Sequence, residues 1–500
     1  MKLEVRNSKS ETSSPGWRFL AFPCAILLCT LAFLSGCSFA PKYSRPSVST
    51  PTAFKELTPE QFKQTEAWKT AEPKDNAIRS QWWEMFSDRQ LNALEEEVNT
   101  SNQSVAAALA TFLAARAVVK QNRSQFFPTV TLDPSVTRSR QALVRTPAGS
   151  SASRSSFTEY SLPLDASWEP DFWGRVRNTV KASSLEAQAA LADLENVRLS
   201  LHAELATDYF QLRALDAQKQ LLDAAVLAYQ ESLKLTQTRH ETGIASDQDV
   251  AQAEIQLNTA RAQATDLGIM RAQFEHAIAL LVGKDASSLA ITSERWNARP
   301  IAVPFGLPSE LLERRPDIAA FERRVAAANA QIGVARAAYF PTVTLSGSAG
   351  YQSTSLGNLV SSPNLAWSVG AMLAETVFDA GRRRALTEQA RANYQGTVAN
   401  YRQTVLTAFR EVEDNLAALR LLSQELQEQD ATVEAAQRYL TLASDRYKLG
   451  IDSYLNVIIA QTALLNNQRI AVNLRLQQVS ATVQLIKALG GGWNVESQQR

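Results

Sequence analysis

Phe126-Phe127-Pro128-Thr129-Val130-Thr131-Leu132 returns later in the chain as Tyr339-Phe340-Pro341-Thr342-Val343-Thr344-Leu345. The echo is one of a series. Asp171-Phe172-Trp173-Gly174-Arg175 is answered by Val377-Phe378-Asp379-Ala380-Gly381-Arg382, which aligns Gly174 with Gly381. Arg239-His240-Glu241-Thr242-Gly243-Ile244 is answered by Arg446-Tyr447-Lys448-Leu449-Gly450-Ile451, and Leu281-Val282-Gly283 by Ala488-Leu489-Gly490. These later pairs share one offset, whereas the Phe-Pro-Thr pair is offset by six more, so the first copy carries the longer insertion between its landmarks. The chain is a tandem duplication.

Each copy reads helix, two strands, long helix, turn, helix. Val130, Leu132 and Val136 alternate with Thr129, Thr131, Asp133, Ser135 and Thr137, giving one apolar and one wet face. Val343 and Leu345 alternate likewise with Thr342, Thr344, Ser346 and Ser348. Returning strands carry Tyr160, Leu162, Leu164 and Trp168 in the first copy, and Leu365, Trp367, Val369 and Leu373 in the second. The polar stretches Arg145 to Ser156 and Ser353 to Asn364 are hairpin loops between them. A soluble sheet with one face on a core has the same alternation. A lipid-facing barrel with a polar lumen is favoured because the wet faces are rich in Thr and Ser with few charges, and aromatics sit near the strand ends. Four strands are fewer than the roughly eight that close the smallest transmembrane barrel. Several subunits must therefore share one.

Val405, Phe409, Val412, Leu416, Leu419, Leu422 and Leu426 recur at about 3.5 residues, a coiled-coil seam. No proline interrupts Gly381 to Lys448, or Arg175 to His240 in the first copy. Each such helix is on the order of 100 Å long at about 1.5 Å per residue. Each turns at a glycine, Gly243 or Gly450, where the C-terminus of a helix takes up positive φ, and returns as Val250 to Leu281 or Tyr454 to Leu489. The fold class is mainly α with a small β part: tandem-duplicated long helical hairpins plus four β-strands per chain.

Composition agrees with long helices. Gly and Pro number 19 and 18 in 500 residues, while Ala, Leu, Gln and Glu are abundant. Lys and Arg total 51 against 50 Asp and Glu, which removes the electrostatic case for a nucleic-acid partner. All three cysteines lie at or before residue 37. Lys2, Arg6, Lys9 and Arg18 form a positive n-region, followed by the apolar run Ala21 to Leu34 and then Leu34-Ser35-Gly36-Cys37, which looks like a bacterial lipobox. Cleavage before Cys37 and acylation of that cysteine give a stable anchor, with Cys24 and Cys29 lost with the signal. An ordinary secretory signal with an incidental cysteine is the alternative. Ser38, where aspartate usually means retention at the inner membrane, favours the outer membrane. No later segment offers about 18 consecutive apolar residues, so no second helical span is expected.

An enzyme needs a convergent site. No Gly-rich phosphate loop, metal-spaced cluster or nucleophile elbow appears, so no catalytic residue, metal or cofactor is assigned. His202, His240 and His276 fall on helices, and His202, aligned with Phe409, reads as packing. A rival of another class is a periplasmic coiled-coil adaptor lipoprotein, which accounts for Cys37 and the helices but not for the strands or the duplication.

The sequence resembles the TolC-like outer-membrane efflux factors, in the lipoprotein branch typified by NodT and OprM. The resemblance runs from Cys37 to about Trp493 and rests on the lipobox, Gln81-Trp82-Trp83 followed by Phe86, and the doubled Phe-Pro-Thr start. It rests also on Leu307-Pro308-Ser309-Glu310-Leu311-Leu312-Glu313-Arg314-Arg315-Pro316-Asp317-Ile318 and on Lys487-Ala488-Leu489-Gly490-Gly491-Gly492-Trp493. The resemblance implies a homotrimer with one 12-stranded transmembrane β-barrel and a periplasmic α-helical barrel. It implies a passive exit duct of a tripartite pump, lying in outer-membrane lipid and docking to a membrane-fusion adaptor and an inner-membrane transporter of RND type. A duct for protein secretion is the alternative within the same family. The implied division is signal peptide 1–36, anchor and extended equatorial segment 37–87, first repeat 88–283, linker 284–308, second repeat 309–490 and tail 491–500.

By the same resemblance, Leu455, Asn456 and Ile459 fall at the periplasmic gate. Tyr447 and Asp249 match positions that hold neighbouring hairpins together, and Asp452 and Asp247 join them at an acidic tip. Ile459 stands where relatives commonly have aspartate, and Asp452 where some have arginine. Capping of helix N-termini is an equal reading for Asp247 and Ser246.

Overall fold

The computed structural model describes residues 39–48, 54–56, 81–140, 156–296 and 314–491. Cys37, the loop tip around Arg145, the Leu307 to Glu313 part of the family motif, and Trp493 lie outside the described residues. In chain order the principal elements are α1 (Arg89–Ser101), α2 (Gln103–Ser124), β1 (Thr129–Leu132), β2 (Ser135–Arg140) and β3 (Ser156–Trp168), then α3 (Arg175–Glu241) and α4 (Asp247–Leu281). The second copy supplies α5 (Pro316–Ala337), β4 (Thr342–Ser353), β5 (Leu365–Ala374), α6 (Arg382–Lys448) and α7 (Tyr454–Ala488). Both long helices have 67 residues and both return helices 35. The duplication therefore holds at the level of helix ends.

The chain divides into two compact units, each described by itself. The first is built from Arg116–Leu185 and Ala326–Gly396 with the N-terminal stretch to Ser44, and holds one antiparallel sheet in the order β1, β3, β4, β5, with β2 also on β3. Four strands are expected and five segments are seen, because the first strand is interrupted. Leu132↔Leu164 and Ser135↔Ser161 belong to one continuous register, so β1 and β2 are a single strand broken at Asp133-Pro134. The break has a local cause. Asp133 N–H donates to Pro163 O at 3.4 Å, and proline has no N–H with which to return the bond. Leu132, Val136, Trp367 and Val369 are all exposed in the single chain, which suits a sheet whose apolar face meets lipid rather than a core.

The N-terminal stretch is seated on this unit. Phe39 stacks on Phe340 at 4.2 Å, and Trp173 joins both rings, 5.0 Å from Phe340 and 6.5 Å from Phe39. Arg336 donates to Phe39 O at 3.2 Å and Asn329 to Pro41 O at 2.8 Å.

The second unit comprises Arg45–Ala115, Glu186–Val325 and Thr397–Arg500. Its core follows the expected seam: Val405, Phe409, Val412 and Leu416 are buried. Leu215, Leu222, Leu267 and Leu465 form one cluster, which packs the first hairpin against α7 of the second. The return helices are about half as long as their partners, and the end of α4 meets the junction between α1 and α2. The contact is close: a Cβ on Gly283, just past α4, would lie 2.3 Å from Ser101 O, at the end of α1. Trp82 and Trp83 of the family motif are buried, and Trp83 stacks on His202 at 4.5 Å. His202 is buried, as its place on the seam implies, and meets the carboxyl group of Glu95 at 2.6 Å.

The stretch 89–124 is long and apolar enough in composition to cross a membrane, which the sequence reading does not anticipate. It is two helices: Asn102 has extended backbone angles between them. Its apolar character comes from an alanine-rich run rather than from a lipid-length block of large side chains.

Candidate functional site

The two hairpin turns are built alike. Gly243 and Gly450 each have φ of +74°, a conformation that costs an L side chain energy even where space is free. Gly243 N–H donates to His240 O and Ile244 N–H to Arg239 O, both at 2.8 Å. Gly450 N–H donates to Tyr447 O and Ile451 N–H to Arg446 O, both at 3.0 Å. This is the double-bonded glycine cap of helix C-termini, formed twice.

Beyond the turns the copies diverge. Ser246 caps α4: its hydroxyl accepts from Asp249 N–H at 3.2 Å, and the Asp249 carboxylate accepts from Ser246 N–H at 3.0 Å. Asp249 is thus engaged within its own hairpin, and Asp247 faces His240 Nε2 at 3.3 Å. In the second turn Asp452 accepts from Ser453 N–H at 2.9 Å and from the Asn456 amide at 2.5 Å, with Arg446 at 3.2 Å. The Asn456 hydrogen bond, then Ser453 N–H and Arg446, hold its carboxyl below the usual carboxylate range.

One side chain that sequence reasoning missed ties the two tips together. Arg239 donates to Tyr447 O at 2.8 Å and to Lys448 O at 2.7 Å, and its guanidinium lies 4.4 Å from the centre of the Tyr447 ring. It satisfies the last carbonyls of α6, where a cation is favoured. Its repeat equivalent, Arg446, stays at home because Asp452 holds it. The matching position in the first turn is Ala245, which offers no carboxylate, so Arg239 is left to reach across. That Ala-for-Asp difference is the signal in the sequence. Tyr447 itself is buried, its ring 5.3 Å from Tyr454 and its hydroxyl 3.4 Å from Thr236 of the first hairpin. Burial pushes the Tyr454 hydroxyl up to about 12.

Leu455 and Ile459 stand one helical turn apart on α7 and remain 49% and 48% exposed. Tyr454, Val457 and Ala460 between and beside them are buried. The pair therefore points away from its own hairpins. Among the described residues no group of three or more His, Cys, Asp or Glu is placed to hold a metal ion.

A family model for the outer membrane efflux protein matches residues 94–284 and, a second time, 307–491. The chain belongs to this family. The double match recovers the tandem repeat. The solvent efflux pump outer membrane protein SrpC of Pseudomonas putida is 34% identical over 483 residues, 96% of this chain and 99% of that one. The solved outer-membrane channel OprN superposes with a TM-score of 0.81 at 30% identity, covering 91% of this chain and 100% of that chain. VceC, an outer membrane protein of Vibrio cholerae, superposes with a TM-score of 0.75 at 30% identity, covering 85% and 100%. This efflux-family chain is accordingly an outer-membrane channel that extends into the periplasm and serves as the exit duct of a tripartite pump. Its relatives are efflux channels, not enzymes, and the adaptor reading falls away.

Proposed function

We propose that three copies of the chain form one passive duct whose periplasmic end is closed by the α7 tips and opened when a membrane-fusion adaptor and an RND-type transporter dock there. The observation that carries this reading is the outward-facing pair Leu455 and Ile459, exposed in one chain while their neighbours are buried. Near a three-fold axis such a pair meets its symmetry mates, and rings of apolar side chains exclude water from a narrow pore. Asn456, held by Asp452, stiffens the first turn of α7 beneath them. Tyr447 joins the two hairpins of one chain through Arg239 and Thr236; Asp249 and Asp247 shape the first turn. The channel has no energy source of its own, so the docked partners act by binding the open form better than the closed one. Small apolar molecules are the proposed cargo, by kinship with a solvent efflux protein.

The proposed chain begins after residue 36 with acylated Cys37, followed by an equatorial segment to residue 87, repeats at 88–283 and 309–490 around the linker 284–308, and the tail 491–500. Leu455→Ala combined with Ile459→Asp tests the gate. Single-channel conductance in planar bilayers should rise, and cells should become sensitive to large antibiotics, with the trimer retained. A weakened trimer whose surviving channels conduct like wild type removes both residues from the gate.

A further inference from the structure

The segments that join the sheet to its helices are basic, in a chain whose charges nearly cancel. Residues 116–128, 169–185, 326–341 and 375–396 hold eleven Lys and Arg against five Asp and Glu, while the whole chain has 51 against 50. All five carboxylates are already engaged. Glu169 pairs with Arg175 at 2.9 Å, Asp171 with Arg177 at 3.0 Å, Glu375 and Asp379 with Arg383 at 3.1 and 2.7 Å, and Glu388 with Arg384 at 2.9 Å. Lys120, Arg123, Lys181, Arg382 and Arg391 are exposed and have no ion-pair partner among the described residues.

Helix stability does not account for this excess. The first turn of α3 carries Arg175 and Arg177, that of α6 carries Arg382, Arg383 and Arg384, and neither holds an acidic residue, the reverse of what the dipole at a helix N-terminus favours. Position does account for it. Lys120, Arg123, Lys181 and Arg382 lie within about 10 Å of the helix end that meets the sheet, at about 1.5 Å per residue. Between these cations and the exposed apolar residues of the strands stand aromatic rings at every junction: Phe126 and Phe127 before β1, Phe172 and Trp173 after β3, Tyr339 and Phe340 before β4, and Phe378 after β5. Phe127 and Phe378 are 70% and 86% exposed. Apolar strand, aromatic ring and cation follow one another in the order met on leaving a bilayer core through its interface.

We propose that this basic layer binds the headgroups of anionic glycerophospholipids, of the phosphatidylglycerol class, in the periplasmic leaflet of the outer membrane. Charge and continuity name the occupant: the side chains left without a carboxylate are all positive, and they follow directly on the lipid-facing sheet. Attraction between such cations and an anionic leaflet acts within a Debye length, about 10 Å at 0.1 M salt, and the four nearest cations fall inside it. Three of the four junctions offer a free cation. At the fourth, the end of α5, Arg336 donates to Phe39 O at 3.2 Å, and there the chain seats its own N-terminal segment, two residues from Cys37. Bound headgroups thus fix the depth of the sheet at the three junctions that the N-terminal segment does not reach.

The test uses the full-length oligomer purified from outer membranes in detergent. It is equilibrated with mixed micelles holding equal amounts of phosphatidylglycerol and phosphatidylethanolamine with the same acyl chains, and the lipid retained through gel filtration is quantified by mass spectrometry. Wild type should retain phosphatidylglycerol in excess by about fivefold or more, the preference that one cation at a membrane surface supplies. Lys120→Gln, Arg123→Gln, Lys181→Gln and Arg382→Gln combined should bring that excess below about twofold. Lys234→Gln, Arg261→Gln, Arg402→Gln and Arg438→Gln combined remove exposed cations farther along the helices and should leave it unchanged. If the first combination assembles poorly, Arg123→Gln with Arg382→Gln should still lower the excess by at least about half. Wild type without a preference, or an equal loss in the distant combination, overturns the proposal. An unchanged excess in the variants nearest the sheet overturns it as well, and a shift of their single-channel currents toward cations would then place these side chains in the duct.

Discussion

The side-chain amide of Asn102 donates to the main-chain carbonyl of Leu281 at 2.7 Å. Its side-chain oxygen accepts from Ser104 N–H and Val105 N–H at 2.8 and 3.0 Å. One residue thus caps the start of α2 and the end of α4, and the two helices meet end to end through it. In the second copy the task is divided: Arg315 donates to Ala488 O at 3.1 Å while paired with Asp317 and Glu411 at 2.7 Å each, and Asp317 accepts from Ile318 N–H at 2.8 Å at the start of α5. The Arg-Pro-Asp of the family motif is therefore a helix splice.

Asn102→Ala removes both caps and should destabilise the protein by about 1–3 kcal/mol. Asn102→Asp keeps the cap on α2 and turns a carboxylate toward the C-terminal carbonyls of α4, so it should recover only part of that loss. Arg315→Met leaves a buried carbonyl unmet and two carboxylates unpaired, and should cost at least as much. Thermal unfolding of the detergent-solubilised protein ranks the three. An Asn102→Ala protein that melts with wild type would separate the splice from stability.

Arg239→Ala should loosen the tip, because two carbonyls and the face of Tyr447 lose their cation. Ala245→Asp should do the same by a different route, by drawing Arg239 back into the first hairpin as Asp452 holds Arg446. Both should raise conductance and antibiotic sensitivity, and the double variant should be no leakier than either single. Additive effects would mean that the two residues act separately.

Glu95 and His202 form a buried pair in which neither group favours its charge. Burial raises the Glu95 carboxyl well above the carboxylate range, and burial followed by Arg198 lowers His202 to about 4. The tautomer that fits has Nε2–H donating to Asn99 Oδ1 at 3.1 Å and Nδ1 accepting from a protonated Glu95. Glu95→Gln should then preserve stability at pH 7 to within about 1 kcal/mol, whereas Glu95→Ala should cost about 1–3 kcal/mol. The histidine's folded value lies below its unfolded value of about 6.5. Its contribution is therefore full above that pH and is lost as pH falls toward about 4. Unfolding of wild type and His202→Gln between pH 7 and 4 should converge on the acid side. Parallel curves would show that the His202 pKa does not change on folding, and a wild type that gains on the variant as pH falls would show that His202 is charged in the folded state.

Palmitate labelling should disappear in Cys37→Ser while the protein still fractionates with the outer membrane. Phe39 and Pro41 already hold the segment after the cysteine against Phe340, Arg336 and Asn329, and the strands give membrane attachment of their own. Persistent labelling would move the modification elsewhere.

The repeat, the period-two strands, the seam and the glycine turns were legible in the sequence because each is a local pattern. A strand or a helix writes its exposed and buried faces at fixed spacing, and a positive φ selects glycine wherever it falls. Duplication then doubled every such signal, so the 67-residue helices could be bounded by Gly174 and Gly243 in one copy and by Gly381 and Gly450 in the other. What only the tertiary structure decided are the partners of groups far apart in the chain. Arg239 and Tyr447 are separated by 208 residues, Asn102 and Leu281 by 179, and Glu95 and His202 by 107. No periodicity records which carbonyl a buried amide or guanidinium will meet, because that follows from which helix ends the packing brings together. The same limit explains the aspartates. Asp249 closing a capping box and Asp452 holding Arg446 look alike as acidic residues after a turn, and only the neighbours delivered by the fold tell them apart.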